Sequence, residues 1–227
     1  QSCKLCSFVS QINNLMTLIK SISGIRGTIG GKSGENLTPI DIVRFTSSYA
    51  RFISNQKNSS KVIVIGRDAR ISGEMLTNIV SGTIIGCGFN VLDIGLSTTP
   101  TVEVTVQNQL AAGGIILTAS HNPKEWNALK LLNHKGEFIS SEDGELILKY
   151  ASSDDFTFSN INQIGSYIFN DSFNDKHIED VLALDLVDVD LIRAKNFKVV
   201  LDAVNSTGGI IIPKLLQRLG VECIELF

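Results

Sequence analysis

Short runs of β-branched residues alternate along this chain with stretches whose apolar residues recur every three or four positions, the pattern of strands followed by amphipathic helices. Lys61–Ile65 (KVIVI) reads as a buried parallel strand, with the charged Arg67 and Asp68 following at its carboxyl end. A helix is expected from Ser72 as N-cap, with Met75, Leu76, Ile79, Val80 and Ile84 on its apolar face and Gly86 or Gly88 as terminator. Asn90–Ile94 then completes a βαβ unit. Upstream, Thr38 caps another helix that opens on Pro39, places Asp41 at its positive end and carries Ile40, Val43, Ala50 and Ile53 as apolar positions.

Gly114–Leu117 (GIIL) and Leu129–Leu132 read as further strands, the second turning at Lys135 and Gly136. Val102, Val104 and Val106 alternate as in a strand, yet Thr101 after Pro100 also suits a helix start. A helix from about Glu142 to Tyr150 leads into the polar stretch Ser152–Asn160, which reads as an interdomain linker. The pattern then restarts: Lys198–Leu201 (KVVL) echoes the earlier strand, Asn205–Gly209 leads to a helix with Leu215, Leu216 and Leu219, and Gly220 introduces a strand as Gly88 does. The expected fold class is α/β, a mixed, mainly parallel sheet sandwiched by helices, with one domain complete and a related second one begun. Its divisions are 1–15 as a leader, tag or gene-model extension, 16–151 as the first domain, 152–170 as linker and 171–227 as the start of the second. Met16 reads as the natural start, and a chain ending at Phe227 on an interior strand reads as part of a longer one.

Composition narrows the function classes. The 227 residues carry 20 Lys plus Arg against 23 Asp plus Glu, with neither sign gathered into a run, which argues against a nucleic-acid partner. No apolar run approaches the ~18 residues of a membrane helix, and the first fifteen residues lack the continuous apolar core of a secretory signal, so a cytoplasmic location is expected. Cys87 and Cys223 sit among apolar neighbours as free buried thiols, and Cys3 and Cys6 form a C-x-x-C without the context of a redox or zinc site. Gly31-Lys32-Ser33 imitates the end of a nucleotide-binding loop, but Arg26 stands where its first glycine belongs. Gly86-Cys87-Gly88 closes a helix where a dinucleotide fingerprint would open one.

The chemistry concentrates in Leu117–Lys130 (LTASHNPKEWNALK), where a buried strand stops at Thr118 and Ser120, His121 and Asn122 precede the turn forced by Pro123. A Ser-His-Asn-Pro turn that satisfies its own backbone is one reading; an exposed serine nucleophile at a strand's carboxyl end is the other. A hydrolase pairing Ser120 with His121 is disfavoured, because adjacent side chains of extended backbone point apart and the G-x-S-x-G elbow is missing. Arg67 and Asp68 read as a strand-end pair, Trp126 as packing on the loop and His134 as solvated.

Thr118–Pro123 (TASHNP), followed by Asn127 and Lys130, resembles the phosphoserine loop of the α-D-phosphohexomutases. Ser23–Gly27 (SGIRG) resembles that family's amino-terminal G-I-R-G loop, and Gly66–Gly73 (GRDARISG) its G-R-D-x-R-x-S-G segment. Val200–Gly209 resembles the opening of its second domain, so the resemblance runs from Met16 to the end. What it implies is an enzyme that interconverts hexose 6-phosphate and hexose 1-phosphate through a phosphoserine and a hexose 1,6-bisphosphate. Ser120 would carry the phosphoryl group and, through it, ligate Mg2+; Lys130 would handle the proton; Arg26 would assist at the transferring group; His121, Asn122 and Arg67 would support the substrate and phosphate site. The hexose phosphate would be glucosamine, glucose or mannose phosphate, and Ser23–Gly27 is closer to the loop of phosphoglucosamine mutases. The family's aspartate metal loop and its sugar and phosphate loops are not in this sequence, so residues 1–227 alone are expected to be inactive. The alternative is a non-catalytic phosphosugar-binding or assembly module that keeps the fold.

Overall fold

A computed structural model describes residues 16–21 and 24–227; the Cys3 and Cys6 pair, the leader and Ser23 lie outside the described residues. Four strands, β1 (Ile19–Ser21), β2 (Gly24–Thr28), β3 (Val62–Arg67) and β4 (Asn90–Leu96), join β5 (Gly113–Leu117), β6 (Trp126–Leu132) and β7 (Tyr167–Phe169) in one sheet of order β1-β2-β6-β5-β3-β4-β7. β3 pairs in parallel with β4 and β5, and β4 with β7; β6 lies antiparallel to both β5 and β2. The pairings put β2, β3, β4, β5 and β7 in one sense and β1 and β6 in the other, so the sheet is mixed and mostly parallel.

Helices cover both faces, as the near-continuous apolar strands require. On one side α1 (Pro39–Ser54), α2 (Gly73–Gly86) and α4 (Ser141–Ser153) bury Phe45, Tyr49, Leu76, Val80 and Ile147 against Ile63, Ile65, Ile115 and Leu129. On the other, α3 (Thr99–Asn108) and α5 (Phe173–Leu182) bring Val102, Val106 and Phe173 onto Val64, Ile94, Ile116 and Leu132. The Tyr49 hydroxyl donates to the carbonyl of Leu132 at 2.6 Å, and burial drives its pKa far up, so it stays a donor. α1 opens as its sequence demands, with Thr38 and Asp41 forming a reciprocal capping box. The same buried Asp41 carboxylate accepts from Ser33 Oγ and the Gly34 amide, so the loop that imitates a nucleotide-binding motif is tied to a helix cap instead.

Several expectations are corrected. Ile40 is 61% exposed and Met75 36%: the buried stripe of α1 runs through Ile42, Phe45, Tyr49 and Phe52, which puts Ile40 on the solvent side. The Val102–Val106 alternation is helical, because Thr98 accepts from the Thr101 amide as a cap and Pro100 sits in the first turn. Ser72 borders α2 without capping it; its hydroxyl accepts from Asn127. The stretch 152–170 contributes β7, which extends the sheet beside β4. Cys87 and Cys223 are free but only half-buried.

Beyond β7 and α5 come α6 (Val189–Ala194), β8 (Lys198–Leu201), α7 (Gly208–Arg218) and β9 (Glu222–Glu225), with β8 and β9 paired in parallel. Gly88 and Gly220 both adopt positive φ, of 85° and 69°, as each helix hands over to its strand. α5 bridges the two parts: His177 Nδ1 lies 3.0 Å from Thr101 Oγ1 on α3, and Asp175 lies 2.9 Å from Lys214 on α7.

Candidate active site

β5 ends at Leu117, and the chain turns over its carboxyl end through Thr118 and Ala119, both buried, to Ser120, which is exposed. Ser120 sits at φ 55°, a left-handed conformation that costs a non-glycine residue about 1–2 kcal/mol. Such strain persists only where surrounding bonds over-determine it. Here they do. The Ser120 amide donates to Thr118 Oγ1 at 3.0 Å, and the Thr118 hydroxyl donates to Asp68 Oδ2 at 2.6 Å. Asn122 folds the loop back, donating from Nδ2 to the Ala119 carbonyl at 2.8 Å.

Asp68 was expected to pair with Arg67; its partner is Arg70, whose Nε lies 3.2 Å from Oδ2. Arg70 then reaches under the loop. Nη2 donates to the carbonyls of Ser120 and Asn122, each at 2.7 Å, and Nη1 to those of Pro123 at 2.7 Å and Trp126 at 3.0 Å. Sequence reasoning passed over this residue, although it stands in the GRDARISG segment, since backbone acceptors leave no side-chain signature.

β2 brings Arg26 to the same place. It pairs with β6 so that Arg26 opposes Ala128, and side-chain alternation puts Lys130 on the same face, two residues along. Gly24 permits the approach: at φ 123°, a Cβ there would stand 2.6 Å from the Leu129 carbonyl oxygen. Arg26, Ser120, His121, Asn122, Lys130 and Phe138 thus line one cleft of about 270 Å³. Arg26 Nε is buried without an acceptor, a donor whose desolvation is offset only if an anionic or polar group enters. The Lys130 ammonium lies 5.9 Å from the Phe138 ring centre, and its charge partly opposes the upward push that burial gives the Glu103 carboxyl. Arg67 is not among the residues lining the cleft; its guanidinium lies over Gly73 and donates to the Asp68 carbonyl at 3.3 Å.

The cleft therefore holds an exposed serine and two cationic side chains, with a hydrogen-bonded loop backbone beneath, which suits nucleophilic chemistry on an anionic group. Among the described residues no cluster of three or more His, Cys, Asp or Glu side chains could hold a metal, so these residues do not by themselves fit a metal centre. No helix among them is long and apolar enough to cross a membrane.

Comparison with known proteins identifies the family. Residues 18–158 match the family model of phosphoglucomutase/phosphomannomutase, alpha/beta/alpha domain I. A phosphoglucomutase/phosphomannomutase of Thermococcus kodakarensis is 31% identical over 202 residues, which cover 88% of this chain and 44% of that protein. A phosphoglucosamine/phosphogalactosamine mutase of Sulfurisphaera tokodaii is 30% identical over 200 residues, covering 88% and 42%. In fold, the crystal structure of a phosphoglucomutase/phosphomannomutase family protein from Burkholderia thailandensis superposes with a TM-score of 0.72 at 22% identity, over 94% of this chain and 44% of that one. The chain spans less than half the length of these relatives. By the match over residues 18–158, which include the cleft, this chain belongs to the phosphoglucomutase/phosphomannomutase family.

Proposed function

We propose that this chain supplies the phosphoserine part of a phosphohexomutase, which interconverts hexose 6-phosphate and hexose 1-phosphate by way of a hexose 1,6-bisphosphate. The observation that carries the reading is Ser120, strained to φ 55° and exposed in a cleft that it shares with Arg26 and Lys130.

In the first transfer the bond between Ser120 Oγ and phosphorus breaks while a sugar hydroxyl oxygen bonds to phosphorus. The hydroxyl proton passes by way of Lys130 to Ser120 Oγ. The bisphosphate then turns over, and its other phosphoryl group returns to Ser120 by the reverse path. The Arg26 guanidinium, with its unsatisfied Nε, neutralises the phosphoryl oxygens as they move. His121 and Asn122, which line the same cleft, would support the phosphate site. Of magnesium the reading asks only that it bind the Ser120 phosphate, with its remaining ligands coming from outside the described residues. Glucosamine, glucose and mannose phosphates are the candidate substrates, and residues 1–227 alone do not turn them over.

The test is phosphopeptide mapping of the protein expressed from its complete gene, after incubation with hexose 1,6-bisphosphate, with coupled assays on the three sugar phosphates. Phosphate on Ser120 and loss of turnover in Ser120→Ala are expected. A bare Ser120, or a Ser120→Ala protein that still turns over, refutes the reading.

A further inference from the structure

A guanidinium has five N–H donors and no acceptor. In Arg70 all five have partners: Nε on Asp68, and the four Nη hydrogens on the carbonyls of Ser120, Asn122, Pro123 and Trp126. Its side chain is only 12% exposed, and its charge is balanced by Asp68. Arg70 is not among the residues lining the cleft, and its planar fork has no donor left for a phosphoryl group.

Its bonds have a particular geometry. One path leaves the Ser120 amide through Thr118 Oγ1 to Asp68. The other leaves the Ser120 carbonyl through Arg70 Nη2, returning by Nε to the same Asp68 oxygen. The Arg70 amide closes the inner turn on Asp68 Oδ1 at 3.0 Å. Both peptide groups flanking the Ser120 side chain are therefore tied to one carboxylate–guanidinium pair. The direction of its Cα–Cβ bond is fixed by backbone contacts alone, the hydroxyl having no part in the circuit.

We propose that Arg70 is the positioning residue of the nucleophile, setting the rate of phosphoryl transfer at Ser120 through the loop backbone without touching the phosphoryl group. The inference rests on the phosphoserine reading above. Lysine cannot take its place, since an ammonium offers three donors from one point where five acceptors lie around a plane. Binding of the sugar phosphate, which depends on the cleft side chains, is left almost unchanged.

The experiment uses the protein expressed from its complete gene, with Arg70→Ala, Arg70→Lys and Thr118→Val. Both arginine variants should lose on the order of a hundredfold in kcat, the cost of a nucleophile displaced by about an ångström, with KM held within about threefold. Added ethylguanidinium should restore kcat at least about tenfold in Arg70→Ala and leave Arg70→Lys unchanged, a response that a general loss of folded protein would not give. Amide exchange at Ser120 and Asn122 should quicken at least about tenfold while β5 and α2 keep their protection. Thr118→Val unties the amide path only and should lose about tenfold in kcat, which keeps the inference open to refutation if Arg70→Ala does not fold. An active wild type whose arginine variants, or whose Thr118→Val variant, keep kcat within about threefold overturns this inference and leaves the mutase reading standing. A wild type inert toward every hexose phosphate overturns the mutase reading, and the role of Arg70 in transfer with it.

Discussion

The carbonyl oxygen of Ser120 lies 2.7 Å from Arg70 Nη2, fifty positions earlier in the chain, and this contact ties the end of β3 to the loop that follows β5. β3 and β5 are neighbours in the sheet, so residues that follow their carboxyl ends meet over a shared edge. A strained serine is held there by a fully engaged guanidinium, and the following consequences can be measured.

Ser120→Gly should raise stability by about 0.5 kcal/mol. Relief of the left-handed conformation outweighs the extra freedom that glycine gives the unfolded chain. Ser120→Val, whose branched Cβ suffers more at φ 55°, should lower stability by about 1–2 kcal/mol. Urea unfolding of both variants checks the pair; a less stable glycine variant would show that the backbone there carries no strain.

Gly24→Ala should cost about 2–4 kcal/mol and reduce turnover together. A methyl group there meets the Leu129 carbonyl at 2.6 Å on a backbone at φ 123°, so β2 must withdraw from β6 and take Arg26 with it. Denaturant midpoints and kcat would report the two effects. Gly30→Ala, which shares a positive φ but has open space around it, should lose stability by the backbone cost alone.

Lys130→Met keeps the length and apolar stem of the side chain but cannot move a proton. In the protein from the complete gene, kcat should fall by about a hundredfold, the range for losing a general acid or base. Thermal unfolding should change little, since the half-buried side chain lies 5.9 Å from the Phe138 ring, against which methionine also packs, and its charge only partly opposes the effect of burial on Glu103. Near-normal kcat would return Lys130 to a solvated strand position.

The packing of α5 on α3 should weaken in acid. Burial lowers the pKa of His177, with Asp180 pulling weakly the other way, so the fold prefers the neutral ring that faces Thr101. A folded pKa below the unfolded value of about 6.5 means full stability above that pH and loss as pH falls through the folded value. The opening equilibrium of α5, taken as its amide exchange rate divided by the intrinsic rate at each pH, should rise between pH 7.5 and 5 in the wild type and stay flat in His177→Gln. Equal pH dependence in the two proteins would exclude His177 as the cause.

Much of this was legible in advance because local chemistry leaves local marks. The Thr38 cap with Asp41 in the first turn of α1, the apolar runs that became β3 and β5, and the TASHNP loop all act through side chains near each other in sequence, although the reciprocal bond that makes Thr38 and Asp41 a capping box was not foreseen. Arg26 and Lys130 could be named from the resemblance, and the register of β2 on β6 brings them to one face. What escaped was tertiary. Arg70 works on carbonyls, which every residue has. Ile40 fits a helical period as well as Ile42 does, and only the neighbouring sheet decides which is covered. β7 is three exposed residues that pair with β4, too short and one-sided to show a period.

The strand order also imposes a timetable on synthesis. β2 leaves the ribosome well before its main partner: among the described residues it pairs with β1, a three-residue strand, and with β6, which is made after α1, β3, α2, β4, α3 and β5. Until then the edge that bears Arg26 has no wide partner, and closing so long a loop is slow. Before β6 is made, Ile25 and its neighbours lack the strand that they pair with in the finished sheet. The nucleophile loop, translated between β5 and β6, gains its cationic neighbours only as that last antiparallel pair zips shut. The cleft that Arg26, Ser120 and Lys130 line is therefore assembled only when β6 pairs, while β7 has still to be added at the far edge of the sheet.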